Sequence, residues 1–369
     1  MRTLKGSSLL IERGGDLELK KVSLSTFSYL PNLTLVDQLR SLIRQLFSAG
    51  EQGAFYIPRP IVNGVQSLFQ DAAGTVPVTA DGDPVGLMLD QSPNSNNAPQ
   101  SVSAAKSTYR ASPDRLSLDK VDDALIITVP TGGWNGTMVL ATDEGTVSYG
   151  VDIPAGDYNL GGEYFPGNAI VGALFRDGAL SAEEKADAEA YFIGNGAMAS
   201  YGTVVDFTNF WRGHSEITEF PLIDTSSGTD FGFAWNRCSS LTSFPLIDTS
   251  SGTDFGFAWY RCSSLASFPL IDTSSGTRFP VAWYKCSSLT SFPANAFDNA
   301  KGGDFTSAFA NTALDQTSID GILVSLVTSG ITAGIFDQSG GSAPSVGTGQ
   351  PAIDTLRSRG WTVAVTGGY

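Results

Sequence analysis

One histidine in 369 residues leaves this chain almost without a side chain that changes charge near neutral pH. A Ser-His-Asp or Cys-His engine has a single possible base, His214. Cysteine is nearly as scarce. Cys238, Cys262 and Cys286 are odd in number and lack Cys-x-x-Cys spacing, which argues against a disulfide framework and against zinc. Basic residues number 22 against 37 acidic ones, and the formal net charge of −15 repels nucleic acid and anionic membrane alike. No run approaches the ~18 apolar residues that cross a bilayer. The start, Met1 to Leu10, is followed at once by Ile11-Glu12-Arg13, so no signal-peptide core develops and synthesis in a cytoplasm is expected.

What the chain does have is repetition. Trp211, Trp235, Trp259 and Trp283 follow one another at intervals of 24, as do Phe220, Phe244, Phe268 and Phe292. The text between them, Cys-Ser-Ser-Leu-(Thr/Ala)-Ser-Phe-Pro-Leu-Ile-Asp-Thr-Ser-Ser-Gly-Thr, hardly varies. A lone coil of this length has no interior, so neighbouring coils must supply the apolar partners of each Trp, Leu and Phe. The three cysteines share one place in the repeat and are expected to fill a packed column as buried thiols. The Thr-Ser-Ser-Gly-Thr file reads as a stacked turn whose hydroxyls satisfy backbone groups.

The remaining text divides by composition. Residues 1–50 read as a polar arm followed by an amphipathic helix with its cap near Asn32. In it Leu35, Leu39, Leu42 and Leu46 alternate steps of four and three, either as an oligomerisation seam or as the inner face of a helix lying on its own domain. Residues 51–113 read as an extended connector punctuated by Gly, Pro, Asn and Ser. Alternating apolar residues between Leu116 and Phe175 predict a small β-sandwich over 114–198, closed by a helix that the Ser181/Glu184 capping box opens. Residues 199–313 form the period-24 array, and 314–369 two helix-plus-strand capping units. The fold class is mixed and β-rich: arm and helix, small sandwich, repeat solenoid, α/β caps.

Candidate chemistry is thin. Asp230-Phe231-Gly232 and Asp254-Phe255-Gly256 lack the lysine strand and catalytic loop of a kinase. Glu183 with Glu184, and Asp122 with Asp123, are chain neighbours that diverge on a helix or strand and do not face one sugar. The acidic residues between Asp71 and Asp90 lack a calcium-loop pattern. No catalytic, cofactor-binding or metal-binding residue is assigned. Arg237, Arg261 and Lys285 do form a cationic file beside Tyr260 and Tyr284. Guanidinium forks and aromatic faces suit an anionic surface polysaccharide. The alternative is that Asp230 and Asp254 pair with these cations while the tyrosines cover apolar edges.

The unit Phe-x-x-Ala-Trp-x-x-Cys-Ser-Ser-Leu-Thr-Ser-Phe-Pro, as at Phe231 to Pro245, resembles the BspA-like leucine-rich repeat of surface and adhesive proteins. His214 at the head of the Cys column, Arg278 in the place of Asp230 and Asp254, and Pro280 in the place of Gly232 and Gly256 depart from it. These departures put regular stacking in question at the ends of the array. Upstream, Gln45 to Tyr56, Ser67 to Val78 and Asp83 to Asp90 resemble a segment of tailed-phage structural proteins, and Leu174 to Glu184 is similar to the closing strand and helix of concanavalin-like sandwiches. Together the resemblances imply a non-enzymatic virion surface protein, a tail fibre or adhesin, whose solenoid meets a host-surface glycan or protein. A homotrimer held to other virion proteins through its N-terminal arm is the assembly expected of it. A capsid head fibre or decoration protein is the structural alternative, and a polysaccharide depolymerase the enzymatic one.

Overall fold

The computed structural model describes residues 4–5, 8–13, 16–21, 35–162, 165–198 and 201–369, with side chains from residue 38 onward. The fold is mixed and strand-rich, and it divides into two compact units, residues 1–199 and 200–369.

The first unit begins with three antiparallel strands, β1 (Leu4–Lys5), β2 (Ser8–Arg13) and β3 (Asp16–Lys21), where the sequence suggested a polar arm. Helix α1 (Leu35–Leu46) follows; the expected cap, Asn32, lies outside the described residues. Next come β4 (Gly53–Tyr56), the short pairs β5 (Ile61–Val62) and β6 (Val65–Gln66), and the three-stranded set β7 (Leu68–Phe69), β8 (Leu87–Met88) and β9 (Ala98–Pro99). The main antiparallel sheet has the order β10 (Thr108–Arg110), β11 (Arg115–Ser117), β16 (Ala169–Asp177), β13 (Trp134–Thr142), β14 (Thr146–Ile153). Along one edge of β16, β11 pairs with Ala169 and Ile170 while β4 pairs with residues 173–176.

The pleat of this sheet sends Val139, Ala141, Leu174 and Phe55 to one face, where α1 and α2 (Ala182–Gly194) cover them. Gly172 is required there, because a Cβ at that position would sit 2.2 Å from the Phe192 ring. The other face carries Trp134, Tyr56 and Phe175. The two-stranded antiparallel sheet of β12 (Ala124–Val129) and β15 (Gly156–Gly161) lies on it, Tyr158 meeting Phe175 edge-on at 5.6 Å. Helix α2 opens with both halves of the capping box: Ser181 accepts from the Glu184 amide, and Glu184 accepts from the Ser181 amide.

Two sequence expectations change here. Residues 51–113 are not a connector: they supply β4 and β10 to the sheet, and Phe55, Tyr56, Leu68, Val85 and Met88 are buried. Strands of two to four residues between Gly and Pro are too short to display a period of two, so the burial left no pattern. The α1 leucines are also not a free seam. Leu39, Leu42 and Leu46 are buried against Phe55, Tyr191 and Phe192 of their own unit; the Leu35 side chain lies outside the described residues. Arg176 pins both helices, donating to the Leu46 carbonyl at 3.2 Å and to the Glu184 carboxylate at 2.9 Å.

In the second unit, successive 24-residue turns hydrogen-bond in parallel. The amides of Phe231, Phe233, Trp235 and Arg237 donate to the carbonyls of Asp254, Gly256, Ala258 and Tyr260 at 2.7–2.9 Å, and the next turn repeats the pattern. Every second amide thus bonds the neighbouring turn, while the amides between them close local turns, such as Ala234 to the Phe231 carbonyl. Side chains stack in columns. Trp211, Trp235, Trp259 and Trp283 lie 5.3–5.5 Å apart with nearly parallel rings, and each meets a phenylalanine edge-on. Thr225, Thr249 and Thr273 donate their hydroxyls to carbonyls of the following turn.

Stacking continues through the departures from the repeat. Asp206, Asp230, Asp254, Arg278 and Asp304 form consecutive parallel bridges. Asp230 and Asp254 each accept from the amide two residues ahead, Gly232 and Gly256, at 2.8 Å. Arg278 with Pro280 removes the acceptor and the donor together, so nothing is left unpaired. Within the array lie β17 (Ile217–Glu219), in the first repeat, and β18 (Asp304–Phe305), near its end; beyond it follow α3 (Gln316–Thr328), β19 (Ile335–Gln338), α4 (Gly349–Ser358) and β20 (Thr362–Val365). Strands β18, β19 and β20 form a parallel sheet, and Asp315 caps α3 by accepting from the Ser318 amide.

Candidate functional site

The turn in each repeat needs two residues of positive φ, four apart. At the second of them the column runs Gly213 (81°), Arg237 (64°), Arg261 (60°), Lys285 (60°), Asn311 (60°). Glycine and asparagine suit this left-handed region, whereas arginine and lysine meet a Cβ clash worth about 1–2 kcal/mol. The repeat therefore places its cations in a column whose end members, Gly213 and Asn311, are residues that this backbone accepts at lower cost. At the other such column, Phe233 and Phe257 offset the strain by stacking at 4.6 Å.

The three cations line a groove of about 650 Å³ along the stack, with Ser239, Ser263 and Ser287 on its wall. Among the described residues no carboxylate pairs with Arg237, Arg261 or Lys285. The pairing alternative is not realised: Asp230 accepts from the Gly232 amide, and Asp254 from the Gly256 amide and, at 2.9 Å, from the Arg278 guanidinium. Tyr260 and Tyr284 are half-buried and stack at 5.6 Å, Arg261 lying over Tyr260 and Lys285 over Tyr284 at 5.3 and 5.4 Å. All five sequence candidates thus gather on one side of the stack. The tyrosines brace the cations by cation–π contact rather than lining the groove floor.

Sequence reasoning missed the serines of the groove wall and the end residues Gly213 and Asn311. Carrying the 24-residue register outward from Arg237 and Lys285 would have found the ends. It also missed Leu222, Leu246 and Leu270, a file of leucines that are 73%, 61% and 52% exposed. In the Pro-Leu-Ile of each repeat, Ile247 and Ile271 take the inward place, which turns the leucine out.

Other candidates have structural duties. His214 Nδ1 lies 2.7 Å from Glu216. Cys238, Cys262 and Cys286 are buried, free, and donate to the carbonyls of Trp211, Trp235 and Trp259 at 3.1–3.2 Å. Burial pushes their thiols up, Cys286 to about 12, so they stay protonated and inert. Asp119, Asp122 and Asp123 cluster on one loop, where Asp119 accepts from the amides of residues 121–123. Asp71 and Asp83 likewise close their own turns. Comparisons with protein-family models, with curated proteins and with solved structures return no match to this chain.

Proposed function

We propose that this chain is a non-enzymatic virion surface protein, a phage tail fibre or adhesin, that presents a leucine-rich-repeat solenoid to a host-surface glycan or protein. In this reading the first unit is a sandwich-type spacer and the second is the binding module. The observation that carries it is the file of Arg237, Arg261 and Lys285, unpaired in a groove of a chain with net charge −15. A surface that serves only stacking gains nothing from three like charges at strained backbone positions.

The groove wall also favours binding over hydrolysis. Its residues are Gly, Ser, Arg, Lys and Asn, with no carboxylate or imidazole to serve as acid or base. Immunogold labelling of the particles with antibody to this chain tests the location: label on projecting fibres is expected, and virions free of label would overturn the proposal. Adsorption by particles carrying Tyr260, Arg261, Tyr284 and Lys285 as alanine tests the face, with at least a tenfold loss expected.

A further inference from the structure

We infer that the groove binds a linear, carboxylated polysaccharide laid along the stack, one ionised sugar per repeat. The inference rests on the binding reading above and specifies its ligand. Three features of the groove carry it.

The first is periodicity. Equivalent rings in successive repeats lie 5.3–5.6 Å apart, and Arg237, Arg261 and Lys285 recur once per repeat along the same groove. A pyranose unit in an extended chain advances by a similar length. A polymer carrying one carboxylate per sugar therefore meets the file in register, while a compact anion engages one cation at a time. The second is chemistry. Two of the three cations are guanidinium groups, which grip a carboxylate with two parallel hydrogen bonds. Ser239, Ser263 and Ser287 recur at the same period and supply hydroxyl partners for sugar hydroxyls. The third is preparation. Arg261 and Lys285 are held over Tyr260 and Tyr284, which orders both long side chains before ligand arrives.

A phosphodiester chain is the competing polyanion. It presents charge without the ring hydroxyls that the serine file would meet.

Titration of the full chain by calorimetry decides the matter, with oligogalacturonates of one, three and six residues, neutral maltohexaose and hexathymidylate as probes. The hexagalacturonate and the trimer, which already spans the three cations, should both bind, and the monomer and maltohexaose not detectably. Affinity should fall at least tenfold between 50 and 500 mM salt as the charges are screened. The triple variant Arg237→Gly, Arg261→Gly, Lys285→Gly should lose hexamer binding at least 30-fold while melting no lower than the parent, since Gly213 already occupies this column. Absence of hexamer binding by the folded parent, equal affinity for monomer and hexamer, or tighter binding of hexathymidylate would each overturn the inference. Retained adsorption to host cells in that case would leave the broader binding reading standing, which separates the two failures.

Discussion

Phe309 ends a column that four tryptophans begin, lying 5.0 Å from Trp283 with the rings parallel. The stack thus accepts a benzene ring where the repeat has an indole. The indole nitrogens of Trp235, Trp259 and Trp283 are buried without a hydrogen-bond acceptor, so their N–H groups are a cost rather than a contribution. Trp259→Phe should therefore shift stability by under about 1.5 kcal/mol, whereas Trp259→Ala should cost about 3–5 kcal/mol. Urea unfolding of both variants checks this, and similar losses for the two would mean that the ring stack is not the core of the repeat. At this scale the sequence was readable wherever identity recurred every 24 residues. It was not readable where two partners competed: Asp254 is near enough in sequence to pair with several cations, and only backbone geometry shows it held by Gly256 and Arg278.

Helix α1 shows the same limit for a whole element. Its leucine spacing serves an inter-chain seam and an intramolecular face equally well, because both need one apolar stripe. Packing places Leu39, Leu42 and Leu46 on Phe55, Tyr191 and Phe192. Leu42→Ala should therefore cost about 2–5 kcal/mol of stability and leave the oligomeric state, measured by light scattering, unchanged. A mass that falls with the substitution, without loss of stability, would restore the seam. The ends of helices were plainer. Ser181 with Glu184, and Gly330 and Gly360 after α3 and α4, mark boundaries by local chemistry that no distant contact has to complete.

Carboxylates whose titration is shifted by folding set the response of the whole molecule to acid. Asp248 is lowered by its hydrogen bond from Ser250, Asp71 by that from Thr75, Asp119 by the Val121 amide and Asp83 by the Thr79 amide. Burial raises Glu184, but Ser181 and Arg176 outweigh it and leave it lowered. Burial raises Asp123 and Glu144. A carboxylate lowered on folding stabilises above its unfolded value, near ~4, and that contribution is lost as pH falls through the folded value. With five lowered against two raised among the described residues, melting temperature should drop between pH 5 and pH 3. Thermal melts in low salt check it, and a rise over that interval would contradict the assignment. By itself the sequence determined the period, the columns and the caps, because each depends on residue type and spacing alone. Only the tertiary structure decided that residues 51–113 belong to the sheet, that the α1 stripe faces inward, and that the cations stand unpaired along a groove. Those outcomes depend on which of several compatible partners the backbone brings within reach.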